Sequence, residues 1–254
     1  MVFPLSYFNL IKITDLELTY NKMKIMKQHK YYLILTLVVF VITSCGLDNY
    51  DAPQSTLRGK ITYNGEALGL RGTGQAVQLQ LYQDGYELKN NIPVYVKQDG
   101  TFEALLFNGK YKMVTRDKNG PWVSTRDTIH FDLNGDTFVE VKVIPYFTIS
   151  NAQVSFNGTQ LTGGCKINQI VKDKKINYIA IFVNGTTFVD EQSNLFYIPP
   201  RTTTLDNVTF AFDISMLNDQ QKATFNKQKA LFARIGVKAE GADQAIYSEV
   251  FRLK

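Results

Sequence analysis

Few side chains of this sequence could carry catalysis. The chain has two histidines and two cysteines among 254 residues. His130 lies in the alternating run 128–131, where a histidine on a strand face is a more common interpretation than a catalytic base. Cys165 follows Gly163-Gly164 and is interpreted as a small apolar core residue. The sequence has neither a Gly-x-Ser-x-Gly nor a His-Glu-x-x-His motif. We therefore expect a protein that is not an enzyme and that uses no metal or other cofactor.

Aromatic side chains are the remaining candidates for ligand binding. Trp122 is the only tryptophan of the sequence and follows Asn119-Gly120-Pro121 in a predicted loop. Tyr197 precedes the turn at Pro199-Pro200. An exposed indole or phenol ring can stack on the apolar C–H face of a sugar, while neighbouring amides and carboxylates bind the hydroxyls. For both residues the alternative is a packing role, at a strand end or at a domain junction. An oligo- or polysaccharide is therefore an expected ligand.

Cys45 has a different chemistry because of the segment that precedes it. Lys27 and Lys30 form a basic head, and residues 31–43 are an uncharged apolar run. This run is shorter than the roughly 20 residues of a membrane-spanning helix, so it is typical of a secretory signal. Ile42-Thr43-Ser44-Cys45 resembles a bacterial lipobox, whose cysteine takes a diacylglyceryl group and becomes the first mature residue. The sequence thus predicts a lipid anchor on Cys45; the alternative is a buried cysteine beside an ordinary signal.

The position of the true start determines the net charge of the protein and the segments into which the chain divides. Met26, or Met23, is expected to be the true start. Residues 1–44 carry five lysines and two acidic residues, so the net charge falls from +5 to +2 without them. No basic cluster remains that would favour nucleic acid as a partner. In chain order the predicted segments are an extension that is not part of the protein (1–25), a lipoprotein signal peptide (26–44), a tether (45–55) and two domains (56–145 and 146–254).

Short alternating segments between turn residues predict that the first domain is a β-sandwich. Asn64-Gly65 is a strong hairpin-turn pair. Residues 128–133 and 137–143 are predicted to be a pair of strands about Asn134-Gly135. Pro145 marks the end of the domain, since proline cannot pair within a central strand. One predicted strand places three apolar residues on one face, namely Val77, Leu79 and Leu81.

The second domain is also predicted to be a β-sandwich, so the fold class is all-β with two tandem sandwiches. Residues 176–183 form a nearly continuous apolar run of strand length, which is typical of a sandwich core strand. The stretch between residues 217 and 230 favours a short helix. Residues 232–239 and 246–253 resemble the last two strands of a fibronectin-III or immunoglobulin-like domain.

The first half of the mature chain resembles a known domain. Gly59-Lys60-Ile61, Asp99-Gly100-Thr101-Phe102 and Gly109-Lys110-Tyr111 occur in the order seen in the transthyretin-like, carboxypeptidase-regulatory domain. In that family the Asp-Gly-x-Phe turn and the Gly-x-Tyr strand start are hallmarks of the fold. They carry no chemistry, so the resemblance implies a fold and no activity.

The whole chain resembles a two-domain family of lipoproteins of uncharacterised function, encoded beside outer-membrane glycan importers of the starch-utilisation (Sus) type. Besides the lipobox, this resemblance rests on Tyr50-Asp51-Ala52-Pro53, Asn119-Gly120-Pro121-Trp122, Pro145-Tyr146 and the strand that contains Arg234. It implies a lipid-anchored protein on the outer membrane, facing the cell surface, with a SusC/SusD-like importer as partner. The implied function is accessory glycan binding; the alternative is a structural adaptor that binds protein partners and no sugar.

Overall fold

A computed structural model describes residues 22–24, 26, 30, 52–85 and 87–254 of the chain. The chain divides into two compact units, residues 1–51 and residues 52–254. In the first unit, the described residues are helical and exposed. Cys45, the predicted signal peptide and most of the predicted tether lie outside the described residues. Within the described part of the chain, no helix is both long and apolar enough to cross a membrane.

The second unit is all-β and begins with a sandwich of two sheets. Its strands are β1 (Ser55–Tyr63), β2 (Glu66–Ala67), β3 (Gln78–Gln83), β4 (Ile92–Tyr95), β5 (Thr101–Leu106), β6 (Gly109–Thr115), β7 (Ile129–Leu133) and β8 (Thr137–Lys142). In one sheet β1 lies between antiparallel β5 and parallel β8, and β2 pairs antiparallel with the last residues of β1. The other sheet has the order β4-β3-β6-β7. A 3₁₀ turn (Thr73–Gln75) precedes β3.

Two Asn-Gly turns of this sandwich behave differently. Asn64 and Gly65 have φ values of 51° and 82°, and Tyr63 pairs with Glu66, so this turn closes the predicted two-residue hairpin. The turn at Asn134-Gly135 closes no hairpin, because β7 pairs with β6 in one sheet and β8 pairs with β1 in the other. The expected pairing of residues 128–133 with 137–143 is therefore wrong, and the turn carries the chain between the two sheets.

The core of the first sandwich follows the predicted alternation. Val77, Leu79 and Leu81 are fully buried, and they belong to one apolar cluster with Leu57 and Ile61 of β1. Strand residues two apart point to the same face, so β3 presents these side chains to the facing sheet. Burial of this face stabilises the sandwich.

The second sandwich also consists of two sheets. Its elements are β9 (Phe147–Phe156), β10 (Gln160–Gln169), β11 (Ile176–Asn184), β12 (Phe196–Ile198), β13 (Thr202–Thr204), β14 (Asn207–Asp213), a 3₁₀ turn (Ile214–Met216), α1 (Asp219–Lys227), β15 (Phe232–Ala239), β16 (Ile246–Tyr247) and β17 (Phe251–Arg252). One sheet has the order β13-β14-β10-β9. The other has the order β12-β11-β15-β16, and β17 also pairs with β15.

Strand β11 is buried on both faces, which explains its nearly continuous apolar sequence. Ile181 and Val183 point into the main core of the sandwich. Ala180 and Phe182 point to the opposite face and form a separate apolar cluster with Val189, Ala245 and Tyr247. A strand covered on both sides has no polar face, so its sequence does not alternate.

Helix α1 lies in the stretch for which the sequence predicts a helix. Asn218 accepts a hydrogen bond from the Gln221 amide, and the Gln221 side chain accepts one from the Asn218 amide, which forms a capping box. Phe225 is buried and contacts the ring of Phe156, with ring centroids 5.6 Å apart. The helix is therefore held to the second sandwich by one apolar anchor.

Candidate functional site

Arg234 of β15 lies at the junction between the two sandwiches and is 1% exposed. Its Nε donates to the carbonyl of Ser248 at 2.8 Å. Its Nη1 donates to the carbonyl of Leu70 at 3.0 Å, and its Nη2 to the carbonyl of Gln98 at 3.2 Å. A longer contact of 3.5 Å joins Nη1 to the carbonyl of Val189. One buried side chain thus binds main-chain groups of both sandwiches.

The charge of Arg234 is retained despite its burial. Desolvation lowers the pKa of the guanidinium from 12.5 to about 10, which still leaves it protonated at neutral pH. The cation lies over the ring of Tyr247, 4.8 Å from the ring centroid. Asp190 and Asp99 also favour the charged form. The carbonyl oxygens and the ring replace the water that the guanidinium loses.

Main-chain pairing also holds the junction together. The Tyr247 amide donates to the Gly69 carbonyl at 2.9 Å, which forms an isolated antiparallel bridge between the sandwiches. A Cβ atom on residue 69 would collide with the carbonyl of Tyr247. Glycine at this position therefore permits the close approach of the two backbones.

Hydrogen bonds and an ion pair between polar side chains also join the two sandwiches. The Thr73 hydroxyl donates to the Asp190 carboxylate at 2.6 Å, and Arg71 lies 4.0 Å from the same carboxylate. The Asn119 amide donates to the Asp243 carboxylate at 3.3 Å. These contacts fix the orientation of the second sandwich on the first.

Trp122 belongs to this junction and not to an exposed surface. It is 3% exposed and pairs with Pro145 of the segment that joins the sandwiches. A Cβ atom on Gly120 would collide with the indole ring, so the ring lies directly against the Gly120 backbone. An indole buried in this way has no face available to a sugar. This corrects the expectation that Trp122 contacts a ligand; the packing alternative describes it.

A cleft of about 570 Å³ opens between the sandwiches beside Arg234. The end of β1 and the β1–β2 hairpin form one wall, and β9 with the segment around β16 forms the other. Tyr63 is a partly exposed aromatic residue of the lining, whereas Tyr247 is buried. The lining residues that could contact a ligand are Tyr63, Asn64, Glu66, Asp99, Thr148 and Glu249.

Polar groups at the mouth of the cleft are mostly acceptors. Glu66 and Glu249 are exposed on opposite walls. Asp99 lies in the turn before β5, and its carboxylate accepts hydrogen bonds from the Thr101 amide at 3.0 Å and hydroxyl at 2.7 Å. Burial alone would raise the pKa of Asp99, but these hydrogen bonds lower it below its usual range. In its described lining the cleft therefore combines one partly exposed aromatic side chain with three carboxylates.

Tyr197 is the exposed aromatic residue that the sequence singles out. It lies on the edge strand β12 and is 65% exposed. Its ring centroid lies 6.3 Å from that of buried Phe182, at an interplanar angle of 45°. Neither Tyr197 nor Trp122 lines the cleft. Tyr197 therefore remains a separate candidate for stacking on a ligand.

The residues considered for catalysis lie apart from the cleft. His130 is exposed on β7. Cys165 is buried in β10, and burial raises the pKa of its thiol to about 11. In the residues that the structure describes, no cluster of three or more His, Cys, Asp or Glu side chains could hold a metal ion.

Sequence reasoning missed the cleft because its residues are distant in the chain. Tyr63 and Glu66 belong to one hairpin, whereas Glu249 lies near the end of the sequence. The Asn64-Gly65 turn is recognisable in the sequence, but nothing local shows that it faces another domain. In the sequence, Arg234 stands out only through the resemblance to a family, because an arginine on a strand ordinarily points to solvent.

Two family models match the chain and together cover both sandwiches. Residues 55–144 match the "Protein of unknown function (DUF3823) N-terminal domain". Residues 147–252 match the "Domain of unknown function (DUF3823_C)". The chain belongs to the DUF3823 family. This agrees with the expectation of a two-domain family of uncharacterised function.

Solved structures of DUF3823 proteins are similar over the same region. A DUF3823 family protein of Parabacteroides merdae is 50% identical, with a TM-score of 0.74, and the match covers 80% of this chain and 100% of that chain. One of Bacteroides ovatus is 30% identical, with a TM-score of 0.68 and coverages of 79% and 98%. No curated protein matches the chain.

A more distant structure shares the fold. It belongs to a Bacteroides uniformis protein named a "putative carbohydrate binding protein", which is 20% identical and has a TM-score of 0.64. The match covers 80% of this chain and 99% of that chain. At this identity the likeness shows that the two-sandwich fold is shared.

Proposed function

We propose that this DUF3823 protein is a non-enzymatic lipoprotein of the outer-membrane surface that binds carbohydrate in the cleft between its sandwiches. The observation that carries the proposal is the composition of the cleft. A partly exposed tyrosine and several carboxylate and amide groups line a cavity of about 570 Å³. This volume falls within the roughly 300–1,000 Å³ that is usual for small-molecule sites.

The chemistry of the lining suits a sugar. Tyr63 offers an aromatic ring to the apolar C–H face of a pyranose. Asn64 and Glu66 follow on the same hairpin, and Glu249 lies on the opposite wall. Carboxylate oxygens accept hydrogen bonds from sugar hydroxyls, and bonds to a charged acceptor are stronger than those between neutral groups. The cleft can therefore contact both the apolar face and the hydroxyl groups of a sugar ring.

The rigid junction supports the same proposal. Arg234, the Gly69–Tyr247 bridge and the Thr73–Asp190 hydrogen bond hold the two walls at a fixed distance. A pre-formed site loses little conformational entropy when a ligand binds. The carbohydrate-binding name of the distant Bacteroides uniformis protein, which shares the fold, is consistent with this function.

The location on the outer membrane rests on the sequence. Acylation of Cys45 would place ten residues between the lipid and Thr56. Several acyl chains on one cysteine, each stabilised by about 0.8 kcal/mol per buried methylene, would hold the domains at the membrane. A protein tethered in this way would present its cleft to glycans near a SusC/SusD-like importer.

A structural adaptor is the second candidate function. Leu105 of β5 and Phe138 of β8 are 59% and 63% exposed on the outer face of the first sheet. Strand β1 lies between them, where Thr56 pairs with Leu105 and Arg58 pairs with Phe138. Exposed apolar residues on a sheet favour contact with a protein partner. An adaptor would use this surface and bind no sugar.

Affinity electrophoresis of the lipid-free chain 46–254 against a polysaccharide panel separates the two candidates. This segment contains the whole compact unit 52–254. We expect at least one glycan to retard the protein and Tyr63→Ala to abolish the retardation. Tyr95→Ala is the matched control, because Tyr95 is also a partly exposed tyrosine of the first sandwich but lies outside the cleft. If Tyr197→Ala is the variant that abolishes retardation, the binding site is at β12. If no glycan retards the protein, the adaptor function is favoured.

A further inference from the structure

Negative charges surround the cleft. Glu66 and Asp99 lie on the wall formed by the first sandwich, and Glu249 lies on the wall formed by the second. All three residues are exposed. A ligand in the cleft would therefore lie between carboxylates on both sides.

Arg234 is the one cation among the described residues of the lining, and its hydrogen-bond donors are already in use. All three guanidinium nitrogens of Arg234 donate to main-chain carbonyls, and the residue is 1% exposed. An anionic group in the cleft would have to displace these hydrogen bonds before it could pair with the guanidinium. Arg234 is thus a structural cation that reduces the net negative charge of the lining from −3 to −2, while the exposed charged groups that the structure describes in the lining are all carboxylates.

The lysines on neighbouring segments also have other partners. Lys60 of β1 donates to the Gly65 carbonyl at 3.1 Å. Lys97 lies 3.6 Å from the Glu103 carboxylate. Neither lysine lines the cleft. Glu66, Asp99 and Glu249 are therefore the exposed charged residues of the lining.

We propose that the cleft selects saccharides that carry no acid group, so that neutral or amine-bearing glycans bind and uronic-acid or sulfated glycans are rejected. This inference rests on the proposed function of the cleft. Hydroxyl and amine groups donate hydrogen bonds to carboxylates, which favours neutral and amino sugars. An acidic sugar brings another negative charge between Glu66, Asp99 and Glu249, and each like-charge pair opposes binding. Specificity comes from this repulsion as well as from the attractive contacts.

The test uses one glycan in two charge states. A neutral polysaccharide that retards the 46–254 chain is oxidised at its primary hydroxyls to carboxylates, so that the backbone is kept and the charge changes. We expect at least about tenfold weaker binding of the oxidised form at low salt, and partial recovery at about 1 M NaCl, where the screening length is about 3 Å. In Glu66→Gln/Glu249→Gln the difference between the two forms should shrink. Equal or tighter binding of the oxidised form, or an unchanged difference in the double variant, would overturn the inference.

The panel distinguishes this inference from the proposed function. It contains neutral glucans, mannans and xylans, amine-bearing chitosan, and acidic polygalacturonate, alginate and dextran sulfate. Retention of acidic glycans that depends on Tyr63 would refute the charge selection and leave carbohydrate binding standing. If no glycan is retained through Tyr63, both the selection and the proposed site fail.

Discussion

Arg234 of the second sandwich and Leu70 of the first are joined by a hydrogen bond of 3.0 Å from the buried guanidinium to the main-chain carbonyl. The same side chain binds the carbonyls of Gln98 and Ser248. This arginine therefore links the main chains of the two sandwiches through hydrogen bonds. It fixes the geometry of the cleft that lies beside it.

Replacement of Arg234 should therefore destabilise the whole unit. Arg234→Met removes the donors and leaves several buried carbonyls without a partner, and each such loss costs about 1–3 kcal/mol. We expect the free energy of unfolding in urea to fall by about 3 kcal/mol or more. Arg58→Met is the control, because the Arg58 side chain is 54% exposed and pairs with Glu103 at the surface. Its loss should lower the free energy of unfolding far less, because solvent screens exposed ion pairs. Similar values for the two variants would mean that the junction does not depend on Arg234.

Trp122 should matter for stability and not for binding. Trp122→Phe removes part of a buried ring that lies against Gly120, so we expect a loss of about 1–3 kcal/mol in the free energy of unfolding. The affinity for a retained glycan should stay within about twofold of the original, since the residue does not line the cleft. Thermal unfolding and affinity electrophoresis measure the two effects separately. If the variant is stable but no longer binds glycan, Trp122 belongs to the binding site.

Cys165 should be unreactive in the folded protein. Burial raises the pKa of its thiol from 9.0 to about 11, which leaves little thiolate at pH 8. In the 46–254 chain we expect iodoacetamide to label it at pH 8 only after urea is added. Because the folded pKa is raised, the contribution of the thiol to stability is present below pH 9 and is lost as the pH rises toward 11. Met216→Cys provides a control, since Met216 is 75% exposed and its replacement should react without urea. Labelling of both cysteines at one rate would show that the β10 position is open to solvent.

The predicted lipid anchor on Cys45 can be tested by labelling in cells. Metabolic palmitate labelling should mark the protein and a Cys165→Ala control, because the predicted acylation is confined to Cys45. A Cys45→Ala variant should carry no label and should leave the envelope fraction. An unlabelled wild-type protein, or a Cys45→Ala variant that stays in the envelope, would remove the basis for the outer-membrane location.

Local patterns were sufficient to predict much of the fold. Val77, Leu79 and Leu81 alternate in the sequence and lie together in the core. Asn64-Gly65 predicts a two-residue turn, and its φ values of 51° and 82° are those that such a turn requires. The all-β class and the helix after residue 217 follow from the same kind of local signal. Each of these features depends on residues close together in the chain.

Features that depend on distant residues could not be predicted in this way. Asn134-Gly135 reverses the chain, but the sequence does not say that the next strand joins the other sheet. Trp122 follows Gly120-Pro121, as an exposed loop residue can, yet it is buried against Gly120 and pairs with Pro145 of the linker. Tyr63 and Glu249 meet across the cleft only because Arg234 and the Gly69–Tyr247 bridge dock the sandwiches.

The position of a bound sugar shows whether the cleft is the binding site. A crystal structure of the 46–254 chain with an oligosaccharide from a retained glycan should show a sugar ring against Tyr63, with hydroxyls bound by Glu66 or Glu249. Electron density for the sugar at Tyr197 on β12, with an empty cleft, would show that the cleft is not the carbohydrate site.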